Sequence, residues 1–164
     1  PSGLQGDELF QRFYYQFFYF KSFGKIVWAN GFRTGFAFPD AERLVFSERF
    51  LAGGSSTIRG FKLETVGPKD PFTHEGIGGE GLIIINEEAR FPIYKWFGGA
   101  VFYDGGNVWV KANEISFSDL RHTFGLGLRV DFSYGVIRFD WGHNPDPQEG
   151  EAQNVFHFGF GQAF

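Results

Sequence analysis

Side chains along most of this chain change character at every second residue, and that alternation limits the fold more than any other feature, because helices repeat every 3.6 residues and strands every 2. Residues 120–132, LRHTFGLGLRVDF, place Leu120, His122, Phe124, Leu126, Leu128, Val130 and Phe132 on one parity. Arg121, Thr123, Gly125, Gly127, Arg129 and Asp131 take the other. The same split sets Ile137, Phe139 and Trp141 against Val136, Arg138, Asp140 and Gly142. At the end of the chain Phe156, Phe158, Phe160 and Phe164 share a parity broken only by Gln162, against Val155, His157, Gly159, Gly161 and Ala163. Residues 8–20, 25–37, 82–91 and 97–110 alternate as well, the last less cleanly. Seven strands and no helix are expected.

The links between these strands alternate in length. Short ones fall at 21–24, 93–96 and 133–135, and long polar ones at 38–79, 111–119 and 143–153. Short turns at one end and long loops at the other are the pattern of an outer-membrane β-barrel, and strands of about 9–11 residues suit a tilted crossing. Energetics sets the orientation. A Lys or Arg facing lipid near the bilayer midplane costs roughly 2–4 kcal/mol, so the parity holding Arg121, Arg129 and Arg138 must face the interior and the Phe-rich parity the hydrocarbon. A soluble sandwich with one wet face would put Thr, Ser and Lys on its outer parity. Here that parity is Gly with Arg and Asp.

Composition narrows the choice further. Of 164 residues 21% are aromatic, including 24 Phe, which excludes a disordered chain. No Cys is present, so neither disulfides nor Cys-ligated metals arise. A net charge of -4 gives no nucleic-acid footprint. The longest aliphatic run, Leu82 to Ile85, is far short of the roughly 18 residues of a membrane helix, and residues 1–24 lack the pattern of a signal peptide. A chain without Met is expected to be a piece of a longer protein. Seven is odd where bacterial single-chain barrels have even counts, and an open sheet in lipid leaves unpaired edge groups. The seven strands are therefore expected to be part of a larger barrel.

The long 38–79 connection holds FLAGGSSTIRGF at 50–61, with apolar Phe46, Phe50, Leu51, Ile58 and Phe61, and a loop of this length is usually functional. Here the sequence resembles the outer-membrane protein assembly factors of the BamA and TamA family, the bacterial surface antigen superfamily. Their signature is an aromatic, Gly-Gly, small residues and V/I-R-G-F/Y, matched by Phe50, Gly53, Gly54, Ile58, Arg59, Gly60 and Phe61. NEEARFP at 86–92, FYDGGNVW at 102–109, LRHTFGLGLR at 120–129, VIRFDWG at 136–142 and FHFGFGQAF at 156–164 follow in the family's order.

The resemblance implies an all-β fold, an antiparallel transmembrane β-barrel of the bacterial outer membrane. Residues 1–164 would be its C-terminal part, seven of sixteen strands, with the earlier strands and periplasmic domains upstream. It implies that the loop tucks inside and brings Arg59 to Glu88 and Asp104, whose parities face inward. It implies insertion of unfolded outer-membrane protein clients through a seam between first and last strands, with the lipid bilayer and accessory periplasmic or lipoprotein subunits as partners. It implies no cofactor, metal or nucleic acid, and no enzyme. Phe156, Phe158, Gly159, Phe160, Gly161 and Phe164 would form the terminal signal and seam strand, so deleting Phe164 would impair assembly. A two-partner secretion pore and a barrel carrying an upstream lipase domain share much of this pattern and stay open, as does a purely structural barrel.

Two further features are read from the residues. Glu87 falls on the lipid-facing parity, so it is expected near the headgroups or beside a thinned membrane. GIGGEG at 76–81 satisfies G-x-G-x-x-G, but a strand rather than a helix follows, so it reads as a flexible loop. His74, His122, His143 and His157 show no metal-ligand spacing, and no G-x-S-x-G is present.

Overall fold

A computed structural model describes residues 9–40 and 44–164. Seven strands run β1 (Phe10–Phe23), β2 (Ile26–Pro39), β3 (Gly81–Tyr94), β4 (Phe97–Trp109), β5 (Arg121–Phe132), β6 (Gly135–His143) and β7 (Asn154–Phe160). They form one antiparallel sheet in chain order, β1 and β7 at its edges. Three short turns of 3-10 helix are the only helical pieces among the described residues. The first link is tighter than its composition suggests. Lys21, Ser22 and Phe23 continue the ladder opposite Trp28, Val27 and Ile26, which leaves two residues for the turn.

From β2 to β7 the two faces divide as the alternation predicts, whereas β1 is exposed on both. Phe156, Phe158 and Phe160 are 80%, 56% and 75% exposed on the outer face, whereas Arg129 and Arg138 are 4% and 5% exposed on the inner one. The outer face thus exposes a broad apolar surface of the kind that hydrocarbon covers.

Phe164 departs from the expected parity. The strand ends at Phe160, and Gly161 takes a φ of +78° while its amide donates to the Val136 carbonyl. That left-handed residue turns the chain inward. Ala163 is buried, and the Phe164 ring stacks on Phe18 of β1 at 6.1 Å between centroids. Counting parity through residue 162 fails because the alternation holds only while the backbone stays extended.

Residues 44–80 lie against the inner face. Leu44, Phe50, Ala52, Ile58, Phe61 and Val66 form one apolar core with Ala37, Leu82, Ile84 and Val108 of the strands. Within this stretch isolated bridges pair Phe50 with Gly79 and Ala52 with Val66. The GIGGEG segment is packed rather than loose: a Cβ on Gly79 would run into the Trp109 carbonyl, and one on Gly76 into that of Glu64. Its glycines allow close backbone approach.

The connection after β4 covers the other side. Its turn Ala112–Glu114 packs on β2 and β3, and Asn107 Nδ2 donates to the Asp119 carbonyl at 2.8 Å. The upper part of β3, Leu82 to Ile84, is therefore buried on both faces. Glu87 lies below this cover on the outer face and accepts a 2.9 Å hydrogen bond from Trp28 Nε1, beside Asn30 and Tyr103. The strictly apolar part of the outer surface of β3, Ala89, Phe91 and Ile93, starts beneath it.

Candidate functional site

The loop reaches its innermost point at residues 53–61. The Gly53 amide donates to Thr57 Oγ1 at 2.9 Å and the Gly54 amide to the Ile58 carbonyl at 3.2 Å, closing a tight turn. Ile58 and Phe61 are buried, the latter under the Arg121 guanidinium at 5.2 Å. Gly60 has a φ of +95°, and a Cβ there would sit 2.9 Å from Thr123 Cγ2. Opposite, a Cβ on Gly142 would meet the Gly60 backbone. Two glycines facing one another let the loop lie directly on β6.

Between them the chain delivers Arg59. Its Nε donates to Asp104 Oδ2 at 2.8 Å and its Nη2 to Asp104 Oδ1 at 2.9 Å, the two-pronged geometry that suits a planar guanidinium. Nη1 donates to Glu88 Oε2, and the Arg59 backbone amide adds a bond to Asp104 Oδ2 at 2.9 Å. The Phe102 ring lies 3.5 Å from the guanidinium carbon, within cation–π range. The side chains of Arg59, Glu88 and Asp104 are at most 1% exposed. Charges this deep persist only when paired and hydrogen-bonded.

The structure thus brings Arg59, Glu88 and Asp104 together, and it adds members that sequence reading did not single out. Glu88 also accepts from Arg90 Nε at 2.6 Å and Arg129 Nη2 at 3.2 Å. Asp140 accepts from Arg129 Nη1 at 2.6 Å and Arg138 Nη1 at 3.2 Å, and Asn86 Nδ2 holds Asp104 at 2.8 Å. The available signal was their shared parity with Glu88 and Asp104. Nothing local marked them as one cluster, because the contacts cross four strands.

Strand side chains also take the loop's carbonyls. Arg138 Nη1 donates to Ser55 at 2.8 Å, Arg33 Nη1 to Ser56 at 2.7 Å, Asn86 Nδ2 to Thr57 at 2.7 Å and Thr123 Oγ1 to Arg59. The Gly60 amide donates to His157 Nε2 of β7 at 3.2 Å. Gly159, also on β7, leaves room for the Arg138 guanidinium. Residues 55–60 are therefore tied to every strand from β2 to β7.

A second cluster ties the loops above. Glu151 accepts from Lys69 Nζ, Arg121 Nη2 at 2.8 Å, Asn144 Nδ2 at 3.1 Å and the Gln148 amide at 2.9 Å. Burial raises its carboxyl pKa, but these donors outweigh burial and hold it below the ordinary value. Chemically, both clusters immobilise a loop: charged donors meet charged acceptors in fixed geometry. Among the described residues no three metal-ligating side chains converge.

Comparison with known proteins bears on the family and the fold. The outer membrane protein assembly factor BamA of Nitratidesulfovibrio vulgaris is 32% identical over 122 residues, 71% of this chain and 15% of that protein. Outer envelope protein 80, chloroplastic, of Arabidopsis thaliana is 27% identical over 122 residues, 70% of this chain and 15% of that protein. The chain thus spans 15% of the length of each of these relatives. The crystal structure of BamA from Haemophilus ducreyi lacking POTRA domains 1–3 superposes with a TM-score of 0.77 over 95% of this chain and 36% of that one, at 18% identity, a likeness of fold. Residues 1–164 match the Omp85 superfamily domain along their whole length. The chain belongs to the Omp85 superfamily, as part of an antiparallel transmembrane β-barrel.

Proposed function

We propose that this chain is the C-terminal part of a sixteen-stranded barrel, in a bacterial outer-membrane protein that folds and inserts other outer-membrane proteins. The observation that carries the reading is a long connection folded back onto the inner wall and fastened there by Arg59 to Glu88 and Asp104. A loop anchored across β2 to β7 keeps most of the wall rigid. The last strand, β7, differs from its neighbours. It is seven residues long against nine for the adjoining β6, and Gly159 packs no side chain of its own. In the whole barrel its outer edge meets the first strand, and a short pairing there releases backbone donors and acceptors to an incoming strand, so β7 is one side of a seam at which client strands pair. Phe156, Phe158 and Phe160 keep that strand in hydrocarbon, and Phe164 fixes the turned-in end against β1. Unfolded outer-membrane proteins are the clients, with lipid and accessory periplasmic or lipoprotein subunits as partners; the role needs no catalytic group.

The test uses the full-length protein in liposomes, with an unfolded outer-membrane protein added. Faster folding of the client, and a disulfide between a cysteine on the open edge of β7 and one on a client strand, are expected. Client folding no faster than in empty liposomes, or passage of the polypeptide into the lumen instead, overturns the proposal.

A further inference from the structure

Among the described residues, the hydrogen bond from the Gly60 amide to His157 Nε2 is the only one joining the 44–80 loop to β7. Every other strand bond to residues 55–59 starts from a side chain on β2 to β6, or ends on one. Two consecutive loop residues thus serve different ends: Arg59 fastens the loop to the middle of the wall, and Gly60 reaches the edge strand. His157 sits at the centre of β7, directly across from Asp140 in the ladder. The acceptor role fixes its state, because an N–H donor requires an unprotonated Nε2, leaving any proton on Nδ1. The charged groups facing the imidazole are Arg59 on the loop, Asp104 on β4, and Arg138 and Asp140 on β6.

We propose that His157 is a positioning residue that couples the seated loop to the last strand. When Arg59 is home, Gly60 presents its N–H at a fixed place and His157 holds the centre of β7 against it; when the loop lifts, or when Nε2 gains a proton, the centre of β7 loses its hydrogen bond to the loop. Its role in client insertion rests on the seam reading above, whereas the coupling itself does not.

The experiment is hydrogen–deuterium exchange on the full-length protein in liposomes, read over residues 154–160 and 55–61. His157→Phe keeps a ring and removes the acceptor. It is expected to speed exchange over 154–160 by about five-fold, the effect of one ordinary hydrogen bond. His157→Gln, whose side-chain oxygen accepts, is expected to stay close to the parent protein. Arg59→Ala is expected to speed exchange over 154–160 in the parent background and to add little in the His157→Phe background. Lowering the pH through the imidazole range should loosen 154–160 in the parent and leave the Gln variant unchanged. Equal exchange in parent and Phe variants, equal loosening by Phe and Gln, or full additivity with Arg59→Ala would each overturn the coupling. Client insertion is measured separately. Insertion that does not respond to a loosened β7 overturns the seam reading and leaves the coupling standing.

Discussion

Replacing Arg59 with Ala removes three side-chain donors from two carboxylates that have no access to water. Loss of one partner from a buried ion pair costs about 3–5 kcal/mol, chiefly because the other charge is stranded. The surroundings place this case near the lower bound. Glu88 keeps Arg90 and Arg129, and Asp104 keeps Asn86 and the backbone amide of residue 59. A loss of about 3 kcal/mol is more than 100-fold in the folding equilibrium. Urea titration of the full-length barrel, followed by the gel shift between heated and unheated samples, reads that change directly. The double variant Arg59→Ala with Asp104→Ala should be less unstable than the sum of the single ones by at least about 1 kcal/mol, since neither charge is then stranded. An Arg59→Ala barrel within about 0.5 kcal/mol of the parent, the size of an ordinary surface change, would refute the reasoning. So would strict additivity.

Three further outcomes are expected. Gly60→Ala should unseat the loop, because its φ of +95° disfavours a side chain and the new Cβ meets Thr123; faster protease cleavage within 44–80 measures it, with Gly24→Ala, which has open space around it, as the positive-φ comparison. Glu151 has a carboxyl pKa below its unfolded value, so its stabilisation is complete above the ordinary carboxylate range and fades as the pH falls through the depressed native value. Proteolysis of the 144–153 loop should rise over that acid interval in the parent, while Glu151→Gln should be loose already at neutral pH. Phe139→Arg places a cation on the outer face of β6, where about 2–4 kcal/mol is lost near the bilayer midplane; an unchanged urea midpoint in liposomes would mean that this face does not meet lipid.

The strands and their facing were legible because one face meets lipid and the other a charged interior. That contrast writes itself into every second residue, as Leu126, Leu128 and Val130 against Gly127, Arg129 and Asp131 show. Arg59 could be matched to Glu88 and Asp104 only through the family signature, since a loop residue has no parity from which to read a direction. Arg129, Arg138 and Asp140 were read as facing inward but not as partners in the Arg59 cluster, for a related reason. Each looks like an ordinary inward charge until the register sets Arg129 opposite Arg138, and Gly127 opposite Asp140. Phe164 was misplaced because one left-handed glycine ends the period on which the reading relied. The cover over the outer face of β3 could not be foreseen either: Ile83 and Ile85 look the same whether lipid or a polypeptide loop lies on them.

That outer cover has a mechanical consequence. With the 44–80 segment on one side and the 110–120 connection on the other, the upper half of β3 is the middle ply of a laminate, while the outer faces of β5 to β7 carry no such cover. Bending stiffness grows steeply with thickness, so lateral stress from the surrounding bilayer would be borne by the reinforced flank with little strain, and compliance would concentrate in the thinner strands. In this wall, the place that yields is set by what is layered elsewhere.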